Sequence, residues 1–121
     1  MRMLALILVT LASTSIDAQQ AFDRGQSVRV RAPAAESRAV IALKIVAVPG
    51  DRVRAADKRV YVNDTAVTGF TPEFLERVAA APRAPDVVPP GHYFVMGERR
   101  SNDDIAEYWG VHAVTSLERV P

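Results

Sequence analysis

At 121 residues, 49% of them hydrophobic, the chain is long enough for one cored domain, and its formal net charge of +1 gives no overall pull toward nucleic acid or anionic lipid. The lack of cysteine excludes disulfide and thiolate chemistry and leaves the redox compartment open. His92 and His112 stand alone without metal-ligand spacing, and no cofactor is implied.

Arg2 precedes an apolar run from Met3 to Ala12, followed by small and polar residues through Ala18. A positive start, a short apolar stretch and a small residue at a cut site are the layout of a secretory leader. The run is too short to span a bilayer, which takes about 20 apolar residues. Residues 1–18 are therefore expected to be a signal peptide cut after Ala18 or, alternatively, a short membrane anchor touching the membrane through residues 1–16. The folded β domain is expected over 19–121, exported and either periplasmic or held on the outward face of the inner membrane.

From Ser27 to Arg31 the valines alternate with arginines, which predicts a half-buried strand with Arg29 and Arg31 in solvent. Pro33 to Glu36 reads as a loop. The long apolar run from Ala39 to Val48 reads as a central strand buried on both faces, closed by a turn at Pro49 and Gly50 in which Asp51 is placed to bond the turn backbone. Short strands follow at Arg52 to Arg54 and Arg59 to Val62, and Asn63-Asp64 turns the chain tightly into Thr65 to Val67. Thr71-Pro72-Glu73 is a helix start: a hydroxyl cap, a proline at the first helical position and an acid in the first turn. Phe74, Leu75, Val78 and Ala79 share one face of the predicted helix, which ends before Pro82. The Ala- and Pro-rich stretch from Ala80 to Pro90 is a loop that feeds a strand from His92 to Met96. Glu98 to Glu107 reads as a solvated loop, and the chain returns after Gly110 through a loop and a last strand.

Four of these segments, IVAVPGDRV at 45–53, VYVND at 60–64, GHYFVMG at 91–97 and YWG at 108–110, resemble the type I signal peptidase family, serine endopeptidases that remove leader peptides from exported proteins. The resemblance implies a mostly β fold, a single domain of coiled antiparallel sheets with one short helix, preceded by a leader helix. It also implies a serine nucleophile activated by a lysine kept neutral by burial, since an ammonium has no lone pair to accept the serine proton.

Mapped residue by residue, the resemblance makes Ser15, in Ser15-Ile16, the nearest match to the nucleophile, about two residues too far from Gly25; Ser13 is a weaker one. The family lysine, six residues before the proline of Pro-Gly-Asp, falls on Leu43, and Lys44 one residue later is the candidate general base. One step along a strand turns a side chain to the other face, so Lys44 reaches the same site only if a bulge absorbs the offset. Pro49, Gly50, Asp51, Gly97 and Asp103 take supporting positions. In the family's Ser-x-Asp-Ser-Arg-Tyr-Trp-Gly segment the serine falls on Asp103, the aspartate on Ile105 and the arginine on Glu107.

Two function classes stay open. One is a serine endopeptidase, near the branch that processes conjugal pilins, holding an extended leader peptide as an added strand. The other is a catalytically silent exported relative with a structural or peptide-binding role. A small oligonucleotide-binding barrel using Arg29, Arg31, Arg52 and Arg54 is disfavoured because few aromatics accompany the basic residues, so no nucleic-acid partner is expected.

Overall fold

A computed structural model describes residues 22–30, 42–101 and 104–120, with the backbone alone at 100, 101 and 104. The predicted leader, Ser13, Ser15, the loop from Pro33 to Glu36 and Asp103 lie outside the described residues.

The architecture is mostly β, with eight strands and one α-helix among the described residues. In chain order they are β1 (Ser27–Val30), β2 (Leu43–Ala47), β3 (Val53–Ala56), β4 (Arg59–Val62), β5 (Thr65–Ala66), α1 (Pro72–Ala80), β6 (His92–Ser101), β7 (Asp104–Ala113) and β8 (Leu117–Arg119). Five strands form one antiparallel sheet in the order β7-β6-β2-β1-β8, and β3, β4 and β5 form a second. Two apolar cores result. The first joins Phe94, Met96 and Trp109 of the large sheet to Val53, Val60 and Val62 of the small one and to Phe74 and Val78 of the helix. The second gathers Phe22, Val28, Leu43, Ile45, Tyr93, Val95 and Leu117.

The small sheet closes through two two-residue turns. Ala56 pairs with Arg59 around Asp57-Lys58, and Val62 pairs with Thr65 around Asn63-Asp64. All four turn residues have positive φ, at 52°, 62°, 50° and 69°. That is the twist hairpins favour, and it is why Asn63 suits the second turn and why glycine would suit the position of Asp64 better still. Asp64→Gly is expected to stabilise the domain by about 0.5–1 kcal/mol, read as a raised midpoint in urea unfolding with an unchanged slope. A lower midpoint would mean that the exposed contact of Asp64 with Arg54, at 3.6 Å, outweighs the backbone strain.

The helix forms as its sequence signal predicts. Thr71 Oγ1 accepts from Phe74 N at 3.3 Å, Pro72 occupies the first turn, and Phe74 and Val78 are buried while Leu75 and Ala79 are half-buried.

Three expectations need correction. The central strand spans Leu43–Ala47, and it is not buried on both faces: Leu43, Ile45 and Ala47 are buried, Val46 is half-buried and Lys44 is exposed. The Lys44 face is covered only in part: a groove opens beside Lys44, while Val46 packs against the first core. The first strand of the small sheet starts at Val53 rather than Arg52 and runs to Ala56, because its register with β4 continues to Ala56↔Arg59. Within the stretch read as a loop, Glu98–Ser101 and Asp104–Glu107 are strand, with the β6–β7 ladder continuing through Glu98↔Glu107, Arg99↔Ala106, Arg100↔Ile105 and Ser101↔Asp104. Charged residues are poor strand formers in isolation, and here the pairing partner overrides local preference.

Candidate functional site

Three segments that the sequence marks separately meet at Asp51. Gly50, with φ of 91°, turns the chain after β2, and Asp51 N donates to Val48 O at 3.0 Å. The Asp51 carboxylate then accepts from Val48 N at 2.9 Å, from Asn63 Nδ2 at 2.9 Å, and from Arg24 through Nε at 2.9 Å and Nη2 at 2.6 Å. Asp51 is 5% exposed, whereas the Arg24 side chain is 56% exposed. The Arg24 guanidinium, ahead of the backbone and Asn63 donors, holds the Asp51 carboxyl down to about 2 against desolvation, which acts the other way. Asp51 thus ties the turn before β1, the turn after β2 and the β4–β5 turn into one unit. The Arg24 and Asn63 contacts went unseen in the sequence, because they join residues 27 and 12 positions apart in segments with no shared motif.

Next to this unit lies a groove of about 520 Å³. Lys44 and Val46 come from β2, Val62 and Ala66 from β4 and β5, Val67 and Phe70 from the segment after β5, and Arg24 from the turn before β1. Lys44 pairs with Met96, whose side chain belongs to the first core, and its neighbour Leu43 is 3% exposed in the second. Lys44 and Leu43 therefore lie on opposite faces of the large sheet. Strand β2 does carry a bulge, between Ile45 and Ala47: Ile45 pairs with Val95 and Ala47 with Phe94, so two residues of β2 oppose one of β6. It lies after Lys44, and it moves Ala47 rather than Lys44 to a different face.

Gly97 of β6 lies tightly against the chain entering β2. A Cβ there would lie 2.6 Å from Ala42 O and 2.6 Å from Leu43 Cδ2. Gly110 has a comparable but looser task, since Tyr108 and His112 bond to each other across it through the phenol and Nε2. Burial pushes the Tyr108 phenol up and the His112 imidazole down, so both groups stay neutral around pH 7.

The resemblance sets Ile105 and Glu107 against an aspartate and an arginine of the family. Ile105 is exposed, and Glu107 pairs with Arg77 of α1, which donates Nε to Oε1 at 2.8 Å and also reaches Oε2. Directly opposite Glu107, Glu98 accepts from Thr71 N at 2.6 Å and Thr71 Oγ1 at 2.9 Å. Two like charges facing each other across a ladder repel, and each is compensated by one end of the helix. Trp109 completes the hold: its Nε1 donates to Ala81 O at 2.7 Å, its ring packs edge-on to Phe74, and the Arg83 guanidinium lies 4.1 Å from its centroid.

The model of the family described as signal peptidase, peptidase S26, matches residues 4–118. The chain belongs to this signal peptidase family. Among curated relatives, a probable signal peptidase I-2 of Synechocystis is 37% identical over 55% of this chain and 29% of its own length. A signal peptidase I of Pseudomonas fluorescens is 32% identical over 54% of this chain and 32% of its own length. This signal peptidase relative therefore spans about a third of the curated proteins it matches. A crystal structure of a signal peptidase I from Enterococcus faecalis is similar at a TM-score of 0.48 and 21% identity, covering 84% of this chain and 97% of that one.

Asp51, Gly97, Tyr108 and Trp109 hold the scaffold together through the contacts above, while Pro49 is exposed and Gly50 turns the chain between it and Asp51. The described residues bring Lys44 to the groove and Leu43 to the second core.

Proposed function

We propose that this chain is an exported signal-peptidase-family domain that no longer performs serine–lysine hydrolysis and keeps a structural, peptide-binding role. The observation that carries the reading is Leu43. It occupies the position of the family's base, 3% exposed among Val28, Ile45, Tyr93 and Val95, and its hydrocarbon side chain has no lone pair to take a proton. Lys44 supports the same reading, since it is solvent-exposed on the other face, without the apolar enclosure that turns an ammonium into a base. Ser15, the nearest match to the nucleophile, lies about two residues too far from Gly25, which supports the reading as well.

Residues 1–18 act as the leader or anchor that puts the domain outside the cytoplasm, and among the described residues no helix is long and apolar enough to cross a membrane. The ligand class is the family's own, an extended peptide of leader type.

The test is a leader-peptide cleavage assay at excess protein, with the full chain as wild type, Ser15→Ala and Lys44→Ala, products read by mass. Equal background hydrolysis in all three is expected. Turnover in the wild type that both substitutions abolish would instead establish the endopeptidase, with Ser15 attacking and Lys44 as base.

A further inference from the structure

The groove over the Lys44 face is separate from the position of the family's base, and its lining combines two cations with apolar walls. Arg24 and Lys44 line it, and among the described residues no Asp or Glu does. Arg24 is oriented in advance: two of its five N–H groups, on Nε and Nη2, are committed to the buried Asp51 carboxylate, and among the described residues none accepts from Nη1. Lys44 has no ion-pair partner among the described residues, so its ammonium is also available.

Between the cations and the hairpin, Val46, Val62, Val67 and Phe70 offer an apolar surface, and among the described residues β5 is an edge of its sheet. That edge is only two residues long, Thr65–Ala66. A chain laid along it gains very few backbone bonds, so charge and one side chain must supply the affinity. A long internal segment would gain little from so short an edge, whereas a chain end carries its own charge.

We propose that this groove captures the C-terminal end of a peptide, with the α-carboxylate between Arg24 and Lys44 and an apolar last side chain against Val46, Val67 and Phe70. The inference rests on the peptide-binding role proposed above and names its ligand: a chain end, as left by a proteolytic cut, rather than an uncut leader. Capture of a terminal carboxylate by fixed donors beside an apolar pocket is a general recognition mode, and a planar guanidinium edge matches a carboxylate.

The experiment is calorimetric titration of the full chain with N-acetyl-Ala-Ala-Val-Val as the free acid and as the C-terminal amide. The free acid is expected to bind about tenfold more tightly than the amide, and added salt is expected to narrow that gap. Lys44→Gln should weaken the free acid about fivefold or more and leave the amide unchanged, while Phe70→Ala should weaken both. Lys58→Gln, at an exposed turn lysine outside the groove, should change neither. Equal affinities for acid and amide, no saturation by either, or indifference to Lys44→Gln would overturn the proposal. Arg24 is left intact in this series because removing it strands the Asp51 carboxylate and tests the fold instead. Leader cleavage measured on the same samples separates the two readings: turnover would end catalytic silence without touching the acid-over-amide comparison, and loss of that preference would end the groove proposal while silence stands.

Discussion

Asp51→Ala is expected to lower stability by about 3 kcal/mol, roughly 10 °C in melting temperature for a domain of this size. The loss has three sources. Val48 N and Asn63 Nδ2 lose an acceptor, Arg24 loses both of its bonds, and three turns lose the group that holds them together. The same carboxylate predicts an acid dependence. Its folded value of about 2 lies below the ordinary 3.8, so its contribution is fully present above about pH 4 and disappears as pH falls from there toward 2. Over that window Asp51 contributes about 2 kcal/mol. Asp51→Asn should therefore show a flatter stability profile between pH 4 and pH 2 than the wild type, measured by urea unfolding at each pH. Parallel profiles would mean that the Arg24 contact is too exposed to matter.

Gly97→Ala is the second large effect. The new methyl group would meet Ala42 O, a backbone atom, at 2.6 Å, and Leu43 Cδ2 at the same distance. A side-chain end can swing away from such a contact; a backbone carbonyl next to β2 moves only with the chain that carries it. The cost is expected to be about 3 kcal/mol, at the upper end of overpacking, paid as a widened β2–β6 spacing. Gly97→Ala combined with Leu43→Ala should recover little, because the carbonyl clash persists. Full recovery in the double variant would assign the strain to the leucine alone. Gly110→Ala offers the internal contrast: its Cβ would lie 3.7 Å from the Tyr108 hydroxyl and 3.8 Å from His112 Nε2, ordinary contact distances, so the packing penalty there is expected to be far smaller.

What the sequence disclosed and what it hid divide along the range of the interactions. The helix was legible because its cap, its proline and its apolar face all lie within ten residues, from Thr71 to Ala80. The Asn63-Asp64 turn was legible for the same reason, since turn chemistry is local. The outer half of the β6–β7 pairing was not, because GERRS at 97–101 and DIAE at 104–107 carry few strand-forming residues and are held extended by pairing with each other. The burial of Asp51 was equally hidden, since its main partner comes from a turn 27 residues earlier. The one-residue displacement between Leu43 and Lys44 was legible as a question about sheet faces, and the alternation of burial along β2 places the two residues on different ones. The groove itself was invisible in advance, because its walls come from β2, from the β4–β5 hairpin with the segment after it, and from the turn before β1.

The extra residue in β2 has a wider consequence. By accommodating Val46, the strand hands its inward side from one hydrophobic layer to the other within three positions: Ile45 serves the layer around Tyr93 and Ala47 the layer around Phe94. A variant lacking Val46 would restore unbroken alternation but draw the Pro49-Gly50 bend back by one residue, away from Arg24 and Asn63. The irregularity thus acts as a length gauge, setting how far the chain travels before its anchoring carboxylate arrives.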